Sequence, residues 1–518
     1  MNLVRSLATV GGWTAVSRIL GFLRDLLIAA VLGTGPLADA FFVALRLPNL
    51  FRSLFAEGAF SAAFVPLFAA RLEQEGAAAA RGFAEQVLAL MAGLLMAFCI
   101  LFILAMPWLM VVVAPGFGDD PAQYALAVEL TRITFPYLFF IALSGLVSGV
   151  LNGLYRYAAP AAAPVILNLF HITGLVLIVP LWPQVSGQIL SWGVAAAGVA
   201  QLSFLLLVAA RAGMPLSLPR PRLTPGVRRL LALMGPGLLS SGALQINLLV
   251  GTMIATLQAG AVSYLYYADR LYQLPLALIG VALGNVLLPQ LSRRLRSGDE
   301  QGAVDSLNRG IELGLLLTVP AAVALAVVPK TIIAALFQRG AFDAAATEAT
   351  AAALEIYALG LPAFVLIKIL QPPFFAREDT RTPLRFALLG VVINLAGSLS
   401  LFWVIGFLAL PLATIVSSWV TVGLLLTGLH RRRFLRPDRR LRRRLPRALL
   451  ASAAMGFALY AVDVAAEGSA WIHGERLPLL ALLVASGLVA FGSFAFAFGA
   501  VRRSDFALLR RRQGPSGS

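Results

Sequence analysis

The chain has 518 residues, of which 59% are hydrophobic and only 13% charged, with a net charge of +17. Its mean hydropathy is +0.86. A soluble fold of this length could not hide so much apolar surface, because ordinary usage is about half apolar and about a quarter charged.

Apolar runs of roughly 20 residues, the length that crosses a bilayer, recur from end to end. A transmembrane barrel would show alternating segments of about ten residues instead. The expected class is therefore an all-α polytopic membrane protein. Breaks at proline, glycine and charge clusters predict fourteen spans. The first, at 7–33, follows Arg5 and has the outline of a signal peptide, but it contains Arg18, Arg24 and Asp25. It also lacks a short apolar core with a small-residue cleavage site, so it reads as a retained helix. The second, at 37–64, is interrupted by Arg46, Pro48, Asn49, Arg52 and Glu57. The third, at 83–113, holds the single cysteine, Cys99, which rules out a disulfide framework. The others are predicted at 124–150, 159–180, 187–210, 227–258, 261–289, 306–336, 347–375, 383–405, 408–429, 447–466 and 478–501.

The connections alternate in charge. Those after even-numbered spans carry Arg71 and Arg81, Arg156, Arg211 to Arg229, Arg293 to Arg296, Arg377 and Arg381, then "HRRRFLRPDRRLRRRLPR" at 430–447. The tail adds Arg502, Arg503 and "RRR" at 510–512. Those after odd-numbered spans are short or acidic, such as "GTGP", "GDDP" and "AEGSAWIHGE", with Lys330, Arg339 and Arg476 as exceptions. The positive-inside rule then puts both termini in the cytoplasm. The run at 430–447 reads as an orientation anchor, or as a surface for anionic lipid headgroups. No nucleic-acid partner is expected, since no binding motif or aromatic-interleaved patch accompanies the charge.

A weak internal repeat runs at about 225 residues. "DAFFVALRLPNL" at 39–50 is similar to "SYLYYADRLYQL" at 263–274, with Arg46 above Arg270. Pro136 pairs with Pro362 and Asn168 with Asn394 at the same offset, 226 residues. Each copy holds six spans, an even number, so both insert the same way up. That is the parallel-repeat plan of several secondary transporters, whose substrate site lies between the halves near mid-membrane. The expected organisation is an N-lobe at 1–223, a C-lobe at 224–430, and a basic loop with two extra helices at 431–518.

Charge inside the spans needs a reason, since each central ion costs about 2.5–3.5 kcal/mol on insertion scales. On an ideal helix Arg18 and Asp25 share a face, with Arg24 about a third of a turn away. Asp39 and Arg46 are likewise one heptad apart, before Pro48 disturbs the phase. These could be ion pairs that clamp helices. Alternatively they line a hydrated cavity, where Arg18, Arg24, Arg46, Arg52 and Arg270 outnumber Asp25, Asp39, Glu57 and Asp269. A cationic surplus suits an anionic solute, and guanidinium forks match phosphate oxygens. Where the first copy has Arg18, Arg24 and Asp25, the second has Gly242, Leu248 and Leu249, so the surplus belongs to the first.

"SRILGFLRD" at 17–25, "DAFFVALRLPNLFRSLFAEGAFSAAFVPLF" at 39–68 and "YYADRLYQLPLALIGVALGNVLLPQLS" at 266–292 closely resemble the lipid II flippase family called MurJ or MviN. This family lies within the multidrug/oligosaccharidyl-lipid/polysaccharide exporter superfamily, and the resemblance covers the whole chain. It implies a substrate, lipid II, made of undecaprenyl diphosphate bearing a disaccharide-pentapeptide. It also implies movement from the inner to the outer leaflet of the bacterial inner membrane, by alternating access, for peptidoglycan synthesis. Family-important charges match Arg18, Arg24, Asp25, Asp39, Arg52 and Arg270, while Arg46 and Glu57 also fall on family positions.

On this reading the diphosphate is held by Arg24, Arg52 and Arg270 with Arg18 nearby, while Asp25 and Asp39 orient the guanidiniums. The lipid tail stays in an apolar groove formed by spans 13 and 14. Lipid II and membrane lipids are the expected partners of a monomer. No cofactor or metal is expected. Coupling to an ion or to the membrane potential stays open, because the seventh span offers only neutral Gln245 and Asn247. Two alternatives are a flippase for another diphosphate-linked oligosaccharide and a cation-coupled multidrug exporter of the same superfamily. An enzyme is not expected. His171, His430 and His473 are scattered without metal-ligand spacing, and no P-loop or GxSxG occurs. Gly145, Gly149 and Gly153 have the small-xxx-small spacing of close helix packing.

Overall fold

The computed structural model describes residues 3–55, 59–467 and 476–502. Glu57, His473, Arg503 and the arginines at 510–512 lie outside the described residues. Within them every regular element is helical, and the chain divides into two compact units.

The first unit spans 1–263 with the short segment 339–343. It contains α1 (Leu3–Leu32), α2 (Pro36–Phe55), α3 (Ala59–Gln74), α4 (Gly76–Leu104), α5 (Met106–Val113), α6 (Pro121–Thr134), α7 (Tyr137–Gly153), α8 (Ala158–Thr173), α9 (Ser186–Arg211) and α10 (Pro225–Thr256). α1 packs on α8, α2 on α6, α9 on α7 and α8, and α3 touches α4, α7 and α10. Prolines set several breaks. The expected span 83–113 divides into α4 and α5 because Pro107 opens a new helix, and 124–150 divides at Phe135–Pro136. Proline has no N–H to bond to the preceding turn, so it starts helices more readily than it continues them.

A ladder of buried rings runs along α3: Phe60, Phe64 and Phe68 stack at 5.3 and 5.8 Å, and Phe64 stacks on Phe83 at 5.7 Å. Gly149 and Gly153 of α7 sit against this ladder. A Cβ on them would come within 2.9 Å of the Phe64 ring and 2.6 Å of the Phe68 ring. The glycine spacing on α7 thus makes room for aromatic edges. The segment 339–343 joins this unit through a reciprocal close crossing with the end of α1. Ala341 N–H donates to Ala30 C=O at 2.8 Å, and Gly33 and Gly340 both take positive φ there. A Cβ on Gly33 would stand 2.3 Å from the Ala341 oxygen, so only glycine fits.

The second unit spans 264–338 and 344–518. Its helices are α11 (Ala261–Pro275), whose first turn belongs to the first unit, α12 (Ala282–Arg296), α13 (Glu300–Val327), α14 (Pro329–Phe337), α15 (Ala344–Leu370), α16 (Pro372–Phe375), α17 (Arg381–Ile405), α18 (Ala409–Arg431), α19 (Arg439–Glu467) and α20 (Arg476–Ala497). A wide π turn at 276–281 follows Pro275 and joins α11 to α12. α13 and α15 form the centre, with α18 on α15, α17 on α18, and α19 between α13 and α20. Leu287, Leu307, Ile369, Phe374, Leu425 and Leu429 fill the core, and Leu435 and Leu441 of the basic run join it.

Ten helical stretches among the described residues are long and apolar enough to cross a membrane, and the 51-residue stretch Arg381–Arg431 holds both α17 and α18. The chain is a multi-pass all-α membrane protein. The unit boundary falls at 263, not at 223: α10, the first span of the second repeat copy, packs on α2 and α3. Likewise the basic run and the two extra helices are built into the second unit. A repeat records sequence ancestry, whereas a compact unit is decided by which apolar faces meet.

Candidate functional site

Arg24 and Asp25 lie about two-thirds of the way along α1, where Arg24 meets α8. The Asp25 carboxylate is 3% exposed. Its Oδ1 accepts from Arg24 Nε at 3.1 Å and from Nη2 at 2.8 Å. Arg24 Nη1 donates across to Asn168 Oδ1 of α8 at 3.0 Å, and Asn168 Nδ2 donates to the Ser17 carbonyl at 3.0 Å. A buried charge needs both a partner and hydrogen bonds, and here one amide ties the guanidinium to the backbone of its own helix. The expected face-sharing of Arg18 with Asp25 gives way to pairing between neighbours, because the Arg24 side chain is long enough to curl back onto the adjacent carboxylate.

Arg18 is exposed. With Thr14, Ser17, Asn152 and Tyr157 it lines a recess of about 500 Å³ between α1, α7 and the start of α8. Val10, Pro160, Ala161 and Pro164 complete its lining, and Arg18 is the charged group among them.

Asp39 departs from its expected role of orienting an arginine. It is fully buried in the first turns of α2. Its carboxylate accepts from the Gly260 N–H at 2.7 Å and the Ser263 N–H at 2.9 Å, and also from the Ser263 hydroxyl. These donors belong to the start of α11, where N–H groups have no partner of their own in the helix. Arg46, one heptad on, is exposed. It lines a recess of about 250 Å³ with Asn49, Ser53, Gln245 and Thr252. Arg52 Nε donates to Asn49 Oδ1 at 3.1 Å, so Arg52 joins the same polar patch of α2.

In the second unit Arg270 lies over the Tyr266 ring at 4.5 Å and donates to its hydroxyl at 2.9 Å, one turn back on α11. Asp269 accepts from Gln273. His171 is 1% exposed, faces Phe41 edge-on and reaches the Leu190 carbonyl at 3.3 Å, as a packed residue does.

The first unit thus brings Arg24 and Asp25 together with Asn168, gathers Arg46 and Arg52 around Asn49, and sets Arg18 in its own recess. Asn168 carries part of this arrangement and was visible in the sequence only as a repeat position. Its counterpart Asn394 accepts from Thr414 on α18 at 3.2 Å, a helix-packing contact.

The family model described as "Lipid II flippase MurJ" matches residues 28–482. A curated relative from Rhizobium meliloti (strain 1021), "Probable lipid II flippase MurJ", is 45% identical over 532 residues and covers 100% of this chain and 98% of its own. The chain belongs to the lipid II flippase MurJ family. A solved structure, "Lipid II flippase MurJ, inward closed conformation", aligns with a TM-score of 0.77 at 26% identity, covering 94% of this chain and 98% of that one. An inward-facing multidrug resistance MATE family transporter of the MOP superfamily shares the fold, with a TM-score of 0.69 at 16% identity over 81% of this chain and 94% of its own. The match to the Rhizobium MurJ relative extends over the first 27 residues, where the family model stops short, and so takes in Arg18, Arg24 and Asp25.

Proposed function

We propose that this chain is a lipid II flippase, carrying undecaprenyl-diphosphate-linked disaccharide-pentapeptide from the inner to the outer leaflet of the bacterial inner membrane, with both termini cytoplasmic. It moves its substrate by alternating access and makes or breaks no covalent bond. One observation carries the reading: in a member of the MurJ family, the guanidinium of Arg24 is held on α1, the first span expected from the sequence, by Asp25 and Asn168. A fixed guanidinium inside a span is costly. It repays that cost where an anionic group must be received, and the diphosphate is the anionic part of lipid II.

In this mechanism Arg24, Arg52 and Arg270 bind the diphosphate, while Arg18 and Arg46 add positive potential in their recesses. Asp25 keeps Arg24 oriented and competes for it, which lets the substrate leave. Asp39 contributes through the architecture of α2 and the start of α11, not by touching the substrate. The lipid tail remains in an apolar groove at α19 and α20. The cationic surplus favours this over a cation-coupled drug exporter.

The test is Arg24→Ala and Arg270→Ala at normal membrane abundance, with lipid II crossing measured by a leaflet assay. Each variant is expected to lose at least tenfold in transport. Undiminished crossing in both would remove the phosphate clamp. Depleted cells separate the rivals: loss of peptidoglycan synthesis supports lipid II, and drug sensitivity with an intact wall supports an exporter.

A further inference from the structure

The basic run around the start of α19 contains two sets of arginines with different partners. The first is held by carboxylates. Glu312 of α13, 7% exposed, accepts from Arg440 Nε at 3.1 Å and Arg444 Nη1 at 2.8 Å, and also from Arg309. Arg309 reaches on to Asp438, which caps α19 by accepting from the Leu441 N–H at 2.6 Å. Arg432 is taken up by Asp379 and by the Thr382 hydroxyl at 2.9 Å. With Leu435 and Leu441 in the core, the segment is pinned at several points.

The second set is Arg439, Arg442 and Arg443. All three are exposed, and none has a carboxylate at ion-pair distance among the described residues. They stand at i, i+3 and i+4, on one face of the helix, where like charges repel one another. Pinning on the opposite face keeps them there at that cost, and no carboxylate among the described residues pairs with them. The same outward row continues through exposed Pro446 into Leu449 at 48%, Leu450 at 60%, Phe457 at 75% and Tyr460 at 57% exposure. α19 is long and apolar enough to cross a membrane, and in that setting the apolar part of the row would meet acyl chains. Arg443 lies six residues before Leu449, about 9 Å along the axis. That step leads from the hydrocarbon edge into the polar headgroup layer, which is several ångströms deep on each side.

We propose that Arg439, Arg442 and Arg443 form a binding site for the phosphate headgroup of an anionic phospholipid, presented at headgroup depth by the Glu312 clamp behind them. The in-register change from arginine to exposed leucine on a single helical row selects a lipid over a soluble anion. A soluble ligand has no use for the adjoining apolar surface. Guanidinium groups bind phosphate oxygens in forked pairs. The site is independent of the lipid II reading, because it lies on the outer face of α19 and uses none of the arginines assigned to the diphosphate.

The experiment uses the full-length protein in nanodiscs of phosphatidylcholine, with and without phosphatidylglycerol. Lipid retention is read by native mass spectrometry, and the thermal midpoint is read alongside. The wild type is expected to retain phosphatidylglycerol and gain midpoint from it. R439Q/R442Q/R443Q is expected to lose retention by about tenfold or more, given the strength of basic-residue attraction to anionic membranes, and R439K/R442K/R443K to keep most of it. R440Q/R444Q, on the clamp side, should lower the midpoint equally in both lipids. Should the triple glutamine variant fail to accumulate, R442Q alone carries the comparison with a smaller loss. Equal retention by wild type and glutamine variants overturns the proposal. So does full reproduction of the stabilisation by inorganic phosphate, or tighter binding of an RNA oligonucleotide than of phosphatidylglycerol.

Discussion

Arg24 and Asn168 are 144 residues apart in the chain and meet at 3.0 Å between α1 and α8. The amide bonds Arg24 through its oxygen and the Ser17 carbonyl through its nitrogen, so it fixes the guanidinium relative to α1 itself. Asn168 is therefore a positioning residue for Arg24.

Asn168→Ala should reduce lipid II transport by about tenfold or more, since a hydrogen bond to a charged group contributes about 1.5–3 kcal/mol. A merely structural role is separated by a double-mutant cycle. In an Arg24→Ala background, Asn168→Ala should bring no further loss of transport while still lowering the thermal midpoint. Additive transport losses would show that Asn168 acts elsewhere.

Asp39 is expected to matter through folding. Asp39→Ala strands the N–H groups of Gly260 and Ser263 in a fully buried place. The penalty should be on the order of 2–4 kcal/mol, the combined cost of two unmet buried donors. It would be read as a lower thermal midpoint and reduced abundance. Ser263→Ala removes only one partner and should cost about 1 kcal/mol. An unchanged midpoint with lost transport in Asp39→Ala would instead put the carboxylate on the substrate.

Glu312 holds Arg440 and Arg444, together with Arg309, on a nearly buried carboxylate. Glu312→Ala should destabilise the second unit by about 3–5 kcal/mol, as expected when one member of a buried ionic cluster is removed. Arg440 keeps 42% side-chain exposure, so water offsets part of its loss. Removing Arg440 and Arg444 together with Glu312 should restore much of the midpoint. No recovery in the triple variant would mean that the clamp is not an electrostatic unit.

Much of this molecule was open to pattern reading. Bilayer-length apolar runs and proline positions located the helices, and the surplus of arginine over acid in the first copy marked the candidate charges. The partners of those charges were not readable. A heptad rule placed Asp25 with Arg18 and Asp39 with Arg46, but Asp25 takes its neighbour Arg24, and Asp39 caps backbone more than 220 residues away in the chain, through Gly260 and Ser263. Spacing along a helix says which residues share a face. It does not say which helix lies opposite.

Composition and periodicity, acting locally, were sufficient to determine a polytopic helical membrane protein with basic groups inside its first helices, because the bilayer penalises every unpaired polar group in the same way. Tertiary structure alone decided that α10 packs with the first unit, that Asn168 steadies Arg24, and that Arg440 and Arg444 are clamped on Glu312 while Arg439, Arg442 and Arg443 face outward. Each of these depends on which side chains distant in the chain come within about 3 Å, the reach of a hydrogen bond, and only the packed chain brings them there.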